Sequence, residues 1–223
     1  MLKTLQNAFK IKEVREKLLY TFFMLVVTRI GSQLPIPGVN TTFFQELFAR
    51  QSNDAFGFFN TITGGSFTNM SVFALSITPY ITSSIIMQLL TIAIPKLEEM
   101  QQEGEDGRKK IAEYTRYLTV ALALMQSIAM AIGFGGKGLL VNFTAMNVIV
   151  AIVTMTAGSA MLMWIGERIT ENGVGNGISI VLLFNIISTM PSDMITLYER
   201  FLQGKIVAVA VVTAVIIVAV IVA

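Results

Sequence analysis

The strongest constraint on this chain is a short apolar segment that cannot cross a bilayer, followed by one that can. Ala55 to Phe67 (AFGFFNTITGGSF) holds Asn60, three hydroxyl residues and three glycines, and the uncharged run Val72 to Ile94 comes after the Gly64-Gly65 break. A span needs about 20 apolar residues, whereas roughly 10 to 14 read as re-entrant or interfacial. Non-helical backbone at membrane depth is tolerated only where protein buries it or it lines a water-filled cavity. The pattern therefore predicts a segment that enters the membrane without spanning it, beside a cavity, and so predicts transport.

Composition agrees: hydrophobic residues make up 54% and charged residues 13%, against about 25% charged in soluble domains. Mean hydropathy is +0.69. With no Cys and no His, the chain offers no disulfide, no thiolate or imidazole metal site and no Ser-His or Cys-His pair. No enzyme, cofactor or metal is expected.

Hydropathy predicts five spans and the start of a sixth: Leu18 to Leu34, Val72 to Ile94, Tyr117 to Phe134, Ala145 to Ile165, Gly177 to Met190, and Ile206 onward. The fifth is short and is expected either to recruit the small residues of Gly173 to Gly177 or to sit within a protein-lined interior. The last run ends without a charged flank, which suggests a fragment. With the N-terminus inside, eleven basic residues fall in inside segments and four in outside ones, so the positive-inside rule places the N-terminus in the cytoplasm. Leu2 to Leu19 reads as a basic interfacial helix, and no cleavable signal peptide is evident.

Several residues carry two readings. Arg29 sits inside a span, where ionisable groups are costly; it either snorkels or packs at the helix end, or faces a partner. Pro35 and Pro37 end that span. Ile77, Ile81 and Ile85 recur every four residues beside Ser76, Thr82, Ser83 and Ser84. They form either a lipid-facing stripe or part of a hydrophobic constriction that blocks ions by dewetting. Pro79 suggests a kink. Lys96 to Arg116 reads as a solvated cytoplasmic loop broken by Gly104 and Gly107, in which Arg108, Lys109 and Lys110 could meet an acidic partner. Trp164 suits an interfacial anchor. Gly173, Gly175 and Gly177 lack the strand and Lys-Ser/Thr of a nucleotide loop and predict a tight turn. Just beyond, Ile178 and Leu182 repeat the four-residue spacing.

Four blocks in order resemble one family. They are Arg29-Ile30-Gly31 with Pro35-Ile36-Pro37-Gly38; Gly64-Gly65 through Ile77-Thr78-Pro79-Tyr80-Ile81 to Gln88-Leu89-Leu90; Glu103-Gly104-Glu105 with Gly107-Arg108-Lys109-Lys110; and Leu162-Met163-Trp164-Ile165-Gly166-Glu167 with Gly175-Asn176-Gly177-Ile178-Ser179. Together they closely resemble bacterial SecY, the central subunit of the protein-conducting channel in the plasma membrane. The resemblance implies an all-α polytopic membrane protein, the N-terminal half of a ten-span pseudo-symmetric bundle with a re-entrant plug. The plug would hold Phe58, Phe59, Asn60, Ile62, Gly64 and Gly65, and the pore ring Ile77, Ile81, Ile178 and Leu182. Thr82 and Gln126 would line a lateral gate. Leu182 stands where many members have Ile, and Ser76 where Gly is common. Implied partners are SecE, SecG, the ribosome or the ATPase SecA, a translocating polypeptide and lipid. A small-solute transporter half is the alternative.

Overall fold

The computed structural model describes residues 11–42, 46, 57 and 60–202. Phe58, Phe59, the first nine residues of the expected interfacial helix and the expected sixth span lie outside the described residues. The principal helices are α1 (Lys12–Gln33), α2 (Thr78–Ala93), α3 (Pro95–Gln102), α4 (Glu105–Phe134), α5 (Ala145–Asn172) and α6 (Gly177–Leu202). A π turn, Gly135–Leu139, closes α4. Helix α4 packs between α2 and α5, and α5 also contacts α1 and α6.

The helices are turned inside out relative to those of a water-soluble protein. Helix α4 buries Thr115, Thr119, Ala123, Ser127 and Ala131 at four-residue intervals while Tyr117, Met125 and Ile132 stand exposed. Helix α1 buries Thr21, Thr28, Gly31 and Ser32 and exposes Phe22, Phe23 and Ile30. Small residues let helices approach closely where lipid gives no hydrophobic drive between them. The buried hydroxyls are satisfied within their own helices: Thr21, Thr28 and Ser32 donate to the carbonyls of Lys17, Leu25 and Arg29 at 2.9, 2.7 and 2.7 Å. Among the described residues, two stretches, Glu105–Leu139 and Ala145–Asn172, are long and apolar enough to cross a membrane. Helices α2 and α3 qualify together but bend by 101° at their break, and Gly177–Pro191 is a shorter apolar helix.

Helix α1 stops at Gln33, where Leu34 turns extended ahead of Pro35. The exit strand is then stitched to two other connections. Val72 N donates to Leu34 O (2.9 Å) and Ile36 N to Met70 O (3.0 Å), while Asn40 N donates to Leu139 O (2.7 Å) and Val141 N to Gly38 O (3.1 Å). Among the described residues these paired edges are isolated bridges, Pro35 with Ser71 and Val39 with Leu140.

Four expectations are corrected here. Helix α2 begins at Thr78 rather than Val72, because residues 72–77 are a buried turn. Pro79 lies in the first turn of α2, where the missing N–H has no helical acceptor to lose, so it starts the helix instead of kinking it. Gly107 is inside α4; a Cβ there would lie 1.6 Å from Met100 O, so this glycine lets α3 fold back on α4, and Gly104 alone, at φ +87°, makes the break. Helix α6 gains length beyond Met190, passing Pro191 to reach Leu202, rather than by recruiting Gly173 to Gly177.

Candidate functional site

The site is an apolar cluster where α2, α5 and α6 meet. Its buried members are Phe73, Ile77, Leu162, Ile165, Ile169 and Val181, and Ile81, Ile178 and Leu182 pack against them half-buried. All four residues expected to form a ring thus join one cluster, with Ile77 fully buried. Ile85 does not join: it is 52% exposed.

The glycine-rich turn before α6 sets this register. Gly175 adopts φ +66°, which a glycine takes without steric cost. A Cβ on Gly177 would lie 2.1 Å from Gly166 O, so α5 and α6 approach backbone to backbone. Asn176 Oδ1 accepts hydrogen bonds from Ile178 N (3.1 Å) and Ser179 N (3.3 Å), capping the free amides of the first turn. Thr170 Oγ1 accepts from Gly177 N at 2.9 Å.

Residues 60–71 form a compact, largely non-helical segment whose buried Phe67 and Met70 pack in a second apolar cluster with Ile36, Leu75 and Met155. Asn60 organises it: its Oδ1 accepts from Thr68 N (3.3 Å) and Thr68 Oγ1 (2.5 Å), and its carbonyl accepts from Gly65 N at 3.0 Å. Gly64 and Gly65 have φ +65° and +81°. A Cβ on Gly64 would come within 3.2 Å of the Asn185 backbone, so the turn sits flush on α6. Ile62 is half-buried, whereas Thr63, Ser66, Phe67 and Met70 are buried.

The junction to α2 is held by polar contacts that sequence reasoning missed. Ser76, buried and at φ +53°, occupies the left-handed region that favours glycine. Its carbonyl accepts from Ser159 Oγ (3.1 Å) and its Oγ from Asn185 Nδ2 (3.3 Å). Close packing completes the seat: a Cβ on Gly158 would lie 2.0 Å from Val72 O, and one on Gly31 would lie 2.1 Å from the Phe73 ring. Asn185, an amide inside an apolar stretch, was the available signal. Arg29 turns inward, donating from Nη1 to Gly64 O (2.9 Å) and to Ser188 Oγ (3.0 Å).

The remaining candidates are more peripheral. Thr82 is exposed and donates to Thr78 O at 3.1 Å, and Gln126 is partly exposed. The hydroxyl pair that joins α2 to α4 is Ser83 with Thr119. Arg108, Lys109 and Lys110 are exposed in the first turns of α4, with Lys109 3.7 Å from Asp106. Nearby, Arg116 Nε donates to Glu167 Oε1 at 2.8 Å, tying α4 to α5, and this hydrogen bond holds the guanidinium above its ordinary pKa. Trp164 stacks under Arg168, 5.6 Å from ring centroid to guanidinium.

Helices that expose bulky apolar side chains and bury small ones around an apolar cluster define a multi-pass membrane protein. Two solved structures share this fold. Sec61 in the canine ribosome-channel complex from the endoplasmic reticulum and a structure described as that of a protein conducting channel each align with a TM-score of 0.59 at 20% identity, covering 90% of this chain and 46% of theirs. The SecY family profile matches residues 71–223. Protein translocase subunit SecY of Halalkalibacterium halodurans is 43% identical over 91% of this chain, and those of Pseudomonas aeruginosa and Staphylococcus aureus are 42% and 45% identical over 88% and 92%. The chain belongs to the SecY family. It spans about half the length of these relatives, 44 to 48%.

Proposed function

We propose that this chain forms the N-terminal half of a protein-conducting channel that passes secretory polypeptides across the bacterial plasma membrane and releases apolar segments sideways into lipid. One observation carries the reading: Ile77 just before α2 and Ile81 on it join Ile178 and Leu182 of α6 in a single apolar cluster, while the segment 60–71 is seated on α6 at Gly64. An aliphatic ring offers no fixed hydrogen-bond partners. It therefore yields to varied side chains while excluding ions by dewetting. Residues 55–68, which include Phe58, Phe59, Asn60, Ile62, Gly64 and Gly65, act as the plug.

Lateral release follows from partitioning. Apolar residues contribute about −0.3 to −0.6 kcal/mol each at a helix centre and charges cost about 2.5 to 3.5, so a segment sampling an open gate is sorted by its summed apolarity. Thr82 and Gln126 are offered as residues of that gate. The expected spans, read on α1, α2 with residues 72–77 before it, α4, α5, α6 and the run from Ile206, place the N-terminus in the cytoplasm, supported by the eleven-to-four distribution of basic residues. SecE, SecG and either SecA or the ribosome are the proposed partners. Arg108, Lys109 and Lys110 form the cytoplasmic contact, supported by their exposure. The transporter alternative needs polar groups converging at the midplane, whereas this cluster is apolar.

The test places a single Cys at Ile81 in the full-length subunit, with any other Cys removed, and seeks a disulfide to a Cys in an arrested secretory polypeptide. A crosslink absent from a lipid-facing control such as Ile132 is expected. No crosslink despite engaged client would remove Ile81 from the conduit.

A further inference from the structure

Arg29 is a cation in a helix whose outer face is apolar, and the ring does not use it. Its hydrogen bonds run to Gly64 O and Ser188 Oγ, and among the described residues no carboxylate lies within ion-pair distance of it. An intramembrane cation is costly unless protein groups compensate it. Here the compensation comes from the backbone of the re-entrant segment and from a hydroxyl on α6.

One turn of α6 prepares both acceptors. Ser188 Oγ donates its own hydrogen to Asn185 O at 2.7 Å, which leaves its lone pairs for Arg29. Gly64 rests on the backbone of the same Asn185, where any Cβ would be 3.2 Å away. The guanidinium therefore clasps three elements, α1, the segment 60–71 and α6, through one nitrogen.

Resting on the channel reading above, we infer that Arg29 is the latch of the resting plug, a positioning residue that holds Gly64 on α6 and sets how readily the plug leaves. Displacement surrenders the Gly64 carbonyl and leaves the cation with Ser188 alone, in surroundings where an unpaired polar group is expensive. Release is cheap only when another acceptor arrives, either water entering the funnel or the backbone carbonyls of a client. The latch thus couples opening to occupancy.

The test uses the complete channel assembled with its partners in vesicles, with a single Cys at Ile62 and all others removed, labelled by a membrane-impermeant maleimide without client. Arg29→Met is expected to speed labelling about tenfold, the scale of one charge-assisted hydrogen bond, with assembly and client transport retained. Arg29→Lys, which keeps a donor but not its forked geometry, falls between, and Ser188→Ala gives a smaller rise. Labelling of Arg29→Met equal to wild type overturns the latch. If that variant fails to assemble, wild-type labelling in both Arg29→Lys and Ser188→Ala overturns it instead. Failure of the Ile81 crosslink sinks the channel reading separately.

Discussion

Helices α4 and α5 and the segment 60–77 face the same environment with opposite strategies. The helices satisfy their backbones internally, and the cross-helix bond between Ser127 and Thr156, 2.9 Å apart, is a supplement. The segment cannot do so: it relies on Ser159, Asn185, Arg29 and the exit strand of α1 to complete its hydrogen bonds. Each unsatisfied backbone group in a lipid-surrounded core costs several kcal/mol. Helix stability is therefore local, while the segment's stability belongs to its neighbours, which suits the movable role proposed for it.

Substitutions should separate the two strategies. The largest effect is expected from Gly158→Val, whose side chain would strike the Val72 carbonyl; overpacking against backbone should cost about 3 kcal/mol or more, read as a lost or strongly lowered unfolding transition in detergent. Next comes Ser76→Ala, which keeps the left-handed backbone but deletes the Asn185 contact, at about 1 to 2 kcal/mol. Ser76→Gly deletes the same contact yet relieves a backbone cost of about 1 to 2 kcal/mol, so it should unfold within about 0.5 kcal/mol of wild type. If both behave alike, the strain at Ser76 is not what distinguishes the junction. Ser127→Ala, in the self-sufficient helix pair, should cost only about 0.6 kcal/mol. Smallest is Arg116→Gln: the pair with Glu167 is partly exposed, at 47% and 21%, and after solvent screening should contribute no more than about 0.5 kcal/mol, vanishing in high salt. A larger loss there would show that the helix pair also depends on long-range polar contacts.

The sequence revealed most where structure is local. Pro35 and Pro37 end α1 because proline removes a donor wherever it stands, and the turn at Gly175 was readable because its φ is positive. The ring residues were legible by spacing on each helix, but their convergence came from the family resemblance, since nothing in a four-residue period says which helix lies opposite. Residues 72–77 (VFALSI) were misread as helix because no breaker marks them; Ser76 is driven to φ +53° by tertiary contacts with α5 and α6. Pro79 was misread for the converse reason, since a proline looks the same in a first turn as in a kink. Gly107 was misread as a break and Gly158 gave no signal, because what fixes each is a carbonyl from another part of the chain.

The stitching of the α1 exit to Met70 and Val72 has a kinetic consequence for the proposed channel. Ile36 N to Met70 O and Val72 N to Leu34 O fasten the segment at its C-terminal side, so a displaced plug stays on a short leash. Its return is then a ring closure at an effective concentration in the mM range, set by tether length. Resealing after each client would be first-order and indifferent to how many channels the membrane holds.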